Sequence, residues 1–190
     1  MKMNNLHLKK HIRTTYLDKR KALGQDHVIA SSQRITRRIL DSESYRHAKT
    51  IFCYYPSNKE CNILDVAQDA LNEGKIVAFP KSFNQRYMDF LQIHSIKSFE
   101  KGRFDIMEPI SDQVIEPDQN TLVLVPGIAF DEKKYRIGYG GGYYDSYFER
   151  YSKSGLKKIG VYYQWQKTPM IPVELHDIPL DYIIHDGSLS

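Results

Sequence analysis

The sequence has few cysteines and no long apolar run. Cys53 and Cys61 are its two cysteines among 190 residues, and neither CxxC nor zinc-site spacing is present. Such a pattern excludes a disulfide framework and a thiolate metal centre, so we expect reduced thiols and a cytoplasmic protein. Because no apolar run reaches the length of a membrane span, and the polar, basic N-terminus lacks a hydrophobic signal core, we expect no membrane partner.

The chain also has little net charge, +4 from 27 basic and 23 acidic residues. This excess suits an anionic small-molecule ligand but is too small to indicate nucleic acid binding unless it is concentrated, so we expect no nucleic acid partner. Internal repeats, low-complexity segments and linkers are missing, and the length predicts a single domain, 1–190, with a sizeable core. Monomer and homodimer both stay open.

Alternating helical and extended segments indicate the fold class. Helices are predicted over 5–23, 26–40, 63–73 and 144–150, and strands over 48–55, 76–79, 88–93, 122–125, 159–163 and 181–184. Gly24 and Gly74 end helices, Pro56 and Pro80 end strands, and 95–120 is expected to be mostly irregular. The order predicts an α/β protein with a three-layer Rossmann-like fold: a mainly parallel sheet with helices on both faces, preceded by a basic N-terminal helix.

A glycine-rich segment follows the apolar strand at 122–125. Four of the five residues from Gly138 to Gly142 are glycines, and the predicted helix begins directly behind them. Glycines permit close approach of backbone N–H groups to an anion, so this arrangement predicts a nucleotide-phosphate loop. It is neither a Walker A motif nor GxGxxG, because no Gly-Lys-Ser/Thr follows and Tyr143 stands where the third glycine would be. A glycine turn that merely lets two elements pack stays an alternative.

Charged residues outside this loop suggest further parts of a site. Lys9, Arg13, Tyr16 and Arg20 fall on one stripe of the first helix, which is either a solvated basic face or counter-charge for phosphate. Glu60 and Lys81 follow the first two strands, and ligands of open α/β sheets bind at the carboxyl ends of strands. Glu60 is alternatively an acid stabilised by the helix that follows it.

Two segments, Val125–Asp131 and Arg136–Asp145, closely resemble the signature of the 5-formyltetrahydrofolate cyclo-ligase (methenyltetrahydrofolate synthetase) family. The similarity extends over nearly the whole chain, through Lys9–Arg13, Glu60, Gly74–Lys81, Met88–Phe90 and Asp181. There are two departures: Lys134 stands where the family usually has glycine, and Ser146 where it often has arginine. A turn with positive φ would be strained at Lys134, so a differently shaped loop is expected between Asp131 and Arg136.

The resemblance implies an enzyme that uses ATP as co-substrate and Mg²⁺ as cofactor. Its reaction would convert 5-formyltetrahydrofolate into 5,10-methenyltetrahydrofolate with release of ADP and phosphate. The formyl oxygen would be phosphorylated first, and N10 would then attack the activated carbon. Only small-molecule substrates are implied as partners.

The resemblance also assigns roles to individual residues. ATP and its phosphates would be bound by Lys9, Lys10, Arg13, Arg136, Ile137, Gly138, Tyr139, Gly140, Gly141, Gly142, Tyr143 and Tyr144. The folate would be bound by Tyr55, Glu60, Lys81, Tyr139, Gly140, Gly141, Gly142 and Tyr143, although simple core packing stays open for the tyrosines. Mg²⁺ would be held by Asp145 and Asp181. Glu60 and Arg136 would be catalytic, and whether Glu60 accepts the N10 proton or only positions the folate stays open.

Two interpretations from other classes stay open on the sequence. The first is a non-enzymatic nucleotide- or RNA-binding module that keeps the loop and the basic helix. The second is a sugar-phosphate isomerase or acyl-CoA enzyme of similar α/β architecture, which would not need ATP.

Overall fold

The computed structural model describes residues 5–187, so residues 1–4 and 188–190 of the predicted domain lie outside the described range. The helices are α1 (Asn5–Lys21), α2 (Gln25–Leu40), α3 (Glu43–His47), α4 (Leu64–Asn72) and α5 (Tyr143–Arg150). The strands are β1 (Thr50–Phe52), β2 (Ile76–Ser82), β3 (Met88–Ile93), β4 (Phe99–Lys101), β5 (Met107–Pro109), β6 (Thr121–Val125), β7 (Ala129–Phe130), β8 (Arg136–Ile137), β9 (Lys157–Tyr162) and β10 (Tyr182–His185). Within this range no helix combines the length and the apolar composition that crossing a bilayer requires.

The main sheet has six strands in the order β10-β9-β6-β1-β2-β3. All neighbouring pairs are parallel except β2 with β3, which confirms the predicted mainly parallel sheet. The central strand β1 has β2 on one side and β6 on the other. The chain first adds β2 and β3 on one side of β1 and later adds β6, β9 and β10 on the other side. The loops that follow β1 and β6 therefore meet at a topological switch point, where open α/β sheets bind their ligands.

Neighbouring residues of the strands supply two separate cores. Ile51 packs in a cluster with Ile35 of α2 and Val66 of α4, whereas Phe52 packs in another with Tyr147 of α5. The Phe52 ring stacks on Phe90 with centroids 4.3 Å apart. Because successive side chains of a strand point to opposite faces, α2 and α4 cover one face of the sheet and α5 covers the other. The predicted three-layer arrangement is confirmed.

Some predicted boundaries were wrong. β2 continues through Pro80 to Ser82, with Pro80 paired opposite Phe90 in β3. β2 is paired on both sides only over Ile76–Ala78, so at Pro80 it resembles an edge strand and the missing N–H is tolerated. The stretch 95–120 is mostly irregular, as expected, although it contains the short antiparallel pair of β4 and β5.

The hairpin of β7 and β8 joins α1 to the rest of the fold. Ile12 of α1 packs against a buried cluster of Phe130, Ile137, Tyr162 and Ile171, to which each strand of the hairpin contributes one residue. The turn between the strands has Lys134 at φ 68°, in the left-handed region. Its Nζ donates a hydrogen bond to the carbonyl of Asp181 at 2.9 Å. Lys134 therefore adopts the positive φ that we expected a differently shaped loop to avoid, and in this respect the expectation was wrong.

Candidate active site

The glycine loop lies between β8 and α5. Gly140 has φ 100° and Gly142, the residue preceding α5, has φ 70°, both conformations that L side chains rarely adopt. Gly142 supplies no capping side chain to the helix. The first N–H groups of α5 are therefore directed toward the loop without a side-chain acceptor from that position, which is the arrangement in which helix N-termini bind anions.

Arg13 packs the basic face of α1 against this loop. Its Nε donates to the carbonyl of Gly138 at 2.8 Å. A Cβ on Gly140 would lie 3.3 Å from the Arg13 Nη2 atom, so the guanidinium and the loop backbone are in close contact. The structure thus brings together two parts that the sequence assigned to phosphate, while Lys10 on the same helix is exposed.

Arg136 and Asp145, at the two ends of the glycine signature, form an ion pair. Arg136 Nη2 lies 3.1 Å from Asp145 Oδ1, and the Arg136 side chain is 7% exposed. Both side chains also bind the backbone of Ile178. Arg136 donates a hydrogen bond to the Ile178 carbonyl at 3.1 Å, and the Ile178 N–H donates one to Asp145 at 3.1 Å. The loop is thereby attached to the segment that precedes β10.

That segment carries acidic groups next to α1. Lys9 Nζ lies 2.8 Å from Glu174 and 2.6 Å from Asp177. Burial alone would lower the pKa of Lys9, but hydrogen bonds and charge from Asp177 and Glu174 outweigh it, so the pKa is raised. Ligand atoms of Glu174, His176 and Asp177 lie within 4.8 Å of one another and could hold a metal ion.

Asp181, which the resemblance assigned to Mg²⁺, contacts the sheet. Its Oδ2 accepts a hydrogen bond from the N–H of Lys158 at 2.7 Å and lies 3.2 Å from the Lys158 Nζ. The sequence reasoning missed Asp177, an isolated acid in an irregular segment that no local pattern distinguishes. Its contact with Lys9, 168 positions away, is what marks it.

Glu60 is buried at the switch point. Its Oε2 accepts hydrogen bonds from the N–H and hydroxyl of Ser57, at 3.0 and 3.2 Å. Its Oε1 accepts from the Tyr139 hydroxyl at 3.4 Å and lies 3.7 Å from Arg20 Nη1. Burial raises the pKa of Glu60, while the charge of Arg20 and the hydrogen bonds from Ser57 and Tyr139 act in the opposite direction.

Arg20 is a second residue to which the sequence reasoning gave no specific role. It is 2% exposed, and it donates to the Gly127 carbonyl at 3.3 Å and to the Tyr139 hydroxyl. The signal that could have found it is the stripe of α1, in which Arg20 follows Arg13 by two turns. Periodicity alone does not separate this buried arginine from a solvated one.

A cleft beside Glu60 contains predicted folate contacts. A cavity of about 430 Å³ is lined by Tyr55, Pro56, Ser57, Asn58, Phe104, Asp105, Ile106 and Met107. Tyr143 borders the same side, since its ring meets that of Phe104 with centroids 6.1 Å apart and its hydroxyl donates to the Phe83 carbonyl at 3.1 Å. Lys81 is partly buried in β2, opposite Asp89 of β3.

The remaining predicted phosphate residues flank the loop. Ile137 is buried and pairs with Ala129 in the hairpin. Tyr144 lies beside Arg136, with the guanidinium carbon 5.9 Å from the ring centroid. Burial raises the pKa of the Tyr144 hydroxyl, which has no hydrogen-bond partner in the described part of the chain. These two residues therefore pack at the two ends of the glycine loop, Ile137 before it and Tyr144 after it.

A larger cavity, of about 730 Å³, opens beside Lys9. It is lined by Asn5, Tyr135, Val173, Glu174, Leu175, His176 and Asp177. It therefore shares the acidic group that contacts Lys9, and it is a shallow depression that is open to solvent.

Comparison with known proteins gives a consistent result. Residues 5–186 match the model of the 5-formyltetrahydrofolate cyclo-ligase family. The 5-formyltetrahydrofolate cyclo-ligase of Mus musculus is 26% identical over 191 residues, covering 95% of this chain and 94% of the relative. The probable 5-formyltetrahydrofolate cyclo-ligase of Schizosaccharomyces pombe is 31% identical, covering 84% and 86%.

Solved structures agree. The 5,10-methenyltetrahydrofolate synthetase of Aquifex aeolicus superposes with a TM-score of 0.83 at 28% identity, covering 95% of this chain and 91% of that one. The enzyme of the same name from Mycoplasma pneumoniae gives a TM-score of 0.76 at 26% identity, covering 94% and 99%. These matches favour the predicted ligase over the binding-module, isomerase and acyl-CoA interpretations. The chain belongs to the 5-formyltetrahydrofolate cyclo-ligase family, and it is an enzyme of that ligase class.

Proposed function

We propose that this enzyme converts 5-formyltetrahydrofolate into 5,10-methenyltetrahydrofolate with consumption of ATP in the presence of Mg²⁺, releasing ADP and phosphate. One observation carries the proposal: a single glycine loop lies next to a group of charged side chains (Arg13, Arg136 and Asp145) and also contacts the buried acid Glu60. The loop meets Arg13 and the Arg136–Asp145 pair on one side and, through Tyr139, meets Glu60 on the other. One loop can therefore hold a phosphoryl donor next to a folate.

The chemistry explains why ATP would be needed. An N-formyl group is an amide, whose carbon is a poor electrophile and whose oxygen is a poor leaving group. Transfer of the γ-phosphoryl to the formyl oxygen breaks the terminal phosphoanhydride bond and makes that oxygen a good leaving group. N10 then attacks the formyl carbon, loses its proton and closes the ring as phosphate departs. Phosphoryl transfer of this kind depends mainly on positioning and charge stabilisation.

The phosphate side would be formed by the loop backbone and the cations around it. N–H groups of Gly138–Gly142 would bind phosphate oxygens, with Arg13, Arg136, Lys9 and Lys10 balancing the charge, Arg136 in a catalytic role. The cavity of about 730 Å³ beside Lys9 has room for the nucleoside part of ATP. Ile137 and Tyr144 would keep the loop in place from behind.

The residues near Lys9 fit a hard divalent cation. Mg²⁺ prefers carboxylate and phosphate oxygens, and Asp145, Glu174 and Asp177 supply carboxylates around one segment. Asp145 accepts the N–H of Ile178, the residue after Asp177, so Asp145 contacts the segment that carries Asp177. We therefore propose Asp145 and Asp177 as the metal-binding pair, because ligand atoms of Asp177, Glu174 and His176 lie within 4.8 Å of one another. Asp181, which the resemblance suggests, is placed second. Bound Mg²⁺ would neutralise phosphate charge.

The folate side would be the cleft beside Glu60. Tyr55 and Tyr143 would pack against its flat rings, and Lys81 would offer a positive charge toward its carboxylates. Glu60 would orient N10 and accept its proton during ring closure. Because burial raises the pKa of Glu60, this carboxylate is a stronger base than an exposed glutamate, provided that it stays ionised at the working pH.

The test is a mixing assay with 5-formyltetrahydrofolate, ATP and Mg²⁺ that follows the near-ultraviolet band of the methenyl product together with ADP. Both products should appear in equal amounts, and both should be lost in Asp145→Ala and Arg136→Ala. ADP without the chromophore would mean another phosphoryl acceptor. If folded protein formed neither product, the proposal would be abandoned.

A further inference from the structure

Arg20 is a buried cation at a junction of three parts of the chain. It projects from the last turn of α1 and is 2% exposed. It contacts Glu60 from the loop after β1, Tyr139 from the glycine loop, and the Gly127 carbonyl directly after β6. Gly127 in turn accepts a hydrogen bond from Gln166 Nε2 at 2.9 Å, which restrains the carbonyl that Arg20 uses.

The contacts on Glu60 divide between its two oxygens. Ser57 holds Oε2 from the same loop, so this contact is local. Oε1 faces Arg20 and Tyr139, which lie on α1 and on the glycine loop, respectively. Tyr139 has a half-exposed ring, but its hydroxyl is directed inward to the arginine and the glutamate. The orientation of Oε1 therefore depends on parts of the fold distant in sequence.

We propose that Arg20 is a positioning residue, which fixes the Glu60 carboxylate and the Tyr139 hydroxyl in one arrangement and so holds the glycine loop in register with the folate cleft. The inference deepens the proposed function and rests on it for the roles of Glu60 and the loop. Arg20 itself is not assigned a contact with either substrate. Its effect on turnover would pass through the two residues that it holds.

Arg20 is the positively charged group among the charged and titratable groups that face Glu60, and it lowers the pKa of Glu60. They are Arg20 from α1, Tyr139 from the loop, Tyr144 from α5, and Tyr54 and Cys61 from the flanking chain. Arg20 is the cation in this set, and its charge lowers the pKa of Glu60 against the effect of burial. Without it, burial would be opposed only by hydrogen bonds, and Glu60 would stay protonated to higher pH.

The test compares Arg20→Met, which removes the charge at similar length, with Arg20→Lys, which keeps it. Lys21→Met is the matched control, because Lys21 is the neighbouring cation of α1 and its side chain is 76% exposed. The Glu60 carboxyl is titrated by ¹³C NMR in protein labelled at glutamate, with Glu60→Gln identifying the resonance. The pH profile of kcat/KM for 5-formyltetrahydrofolate and the KM for ATP are measured in parallel.

We expect Arg20→Met to raise the Glu60 midpoint by about one pH unit or more. The acidic limb of the kcat/KM profile should move upward with it, and kcat/KM at neutral pH should fall about 10- to 100-fold. The KM for ATP should rise less than the KM for 5-formyltetrahydrofolate, because Arg13 and the Arg136–Asp145 pair still hold the phosphate side of the loop when Arg20 is lost. Arg20→Lys should recover part of the loss, and Lys21→Met should behave as wild type.

An unchanged Glu60 midpoint in folded Arg20→Met would overturn the proposal, as would an unmoved acidic limb or equal losses for both substrates. If Arg20→Met does not fold, Arg20→Gln, which keeps polar donors at the buried position, is put through the same titration and judged by the same outcomes. A wild-type protein without turnover would reject the proposed function. The NMR midpoint would still decide whether Arg20 controls Glu60.

Discussion

The Arg136 guanidinium and the Asp145 carboxylate lie 3.1 Å apart and close the glycine signature between its first and last residues. We assign one of these charges to phosphate and the other to a metal ion, and here each neutralises the other. Both also bind the backbone of Ile178, so the loop is supported from outside rather than by its own glycines. A loop with so few side chains needs such external support to keep its shape.

Replacing Arg136 by alanine should lower kcat/KM at least about 100-fold, because the phosphate loses a fixed cation and Asp145 loses its partner. The measurement is the joint appearance of ADP and the methenyl chromophore. Arg150→Ala is the matched control, since Arg150 is a second paired arginine, at the end of α5, and lies 2.6 Å from Asp89 rather than from a residue of the loop. It should lower stability but leave turnover near wild type; equal losses in both variants would contradict a phosphate role for Arg136.

Asp177→Asn should raise the Mg²⁺ concentration needed for half-maximal turnover about 10-fold or more, because a carboxylate ligand is lost. Asp181→Asn should leave the Mg²⁺ requirement near wild type while lowering the free energy of unfolding, because Asp181 binds the N–H of Lys158. Mg²⁺ titrations and urea unfolding separate the two effects. The reverse pattern would return Asp181 to the first place in the metal site.

Gly140→Ala should impair both stability and turnover. Gly140 has φ 100°, and a Cβ there would lie 3.3 Å from the Arg13 guanidinium, in the loop assigned to phosphate. Gly74→Ala is the control: Gly74 has φ 74° with open space around a Cβ, so it carries the backbone cost alone. Gly74→Ala should lose about 1–2 kcal/mol in unfolding free energy, and Gly140→Ala should lose at least as much. Only Gly140→Ala should raise the KM for ATP, and a normal KM would argue against phosphate binding by this loop.

Lys134 should tolerate glycine better than a β-branched residue. Its φ of 68° disfavours side chains branched at Cβ, so Lys134→Val should destabilise the protein by about 1–2 kcal/mol. In Lys134→Gly the relief of strain is offset by lost hydrogen bonding to Asp181 and by unfolded-state entropy, so its stability should stay near wild type. Urea unfolding of the two variants measures the contrast. If Lys134→Val were as stable as Lys134→Gly, the turn would not need a positive φ.

Lys9 should make stability sensitive to alkaline pH. Its pKa is raised above the ordinary 10.5: burial opposes the shift, but hydrogen bonds and charge from Asp177 and Glu174 exceed it. The stabilisation is therefore complete below the unfolded-state pKa and is lost as pH rises through the higher folded-state value. Urea unfolding near pH 8 and pH 11 should show a larger drop for wild type than for Lys9→Met. Equal drops would mean that the ion pairs add no net stability.

The sequence by itself determined the features that depend on neighbouring residues. The apolar run Leu122–Val125 is a buried strand, and the glycines after Arg136 form a loop that leads into a helix. At Lys134 the sequence identified the cost of a positive φ, which is unfavourable for any residue with a Cβ, but it wrongly suggested that the loop would avoid that conformation. Such features follow from backbone sterics and side-chain alternation, which act within a few residues. The mainly parallel sheet then follows from the alternation of strands and helices.

Tertiary structure alone decided which charged groups meet. Arg20 and Arg13 share one stripe of α1, yet Arg20 is buried against Glu60, whereas Arg13 lies on the glycine loop. Lys9 contacts Asp177, which is 168 positions away in the chain. In the sequence, nothing distinguishes Asp177 from an acidic residue on the protein surface. Local sequence fixes the face of a helix but not what packs against it. The partner is set by the order of strands around β1, which brings the ends of distant segments to one edge of the sheet.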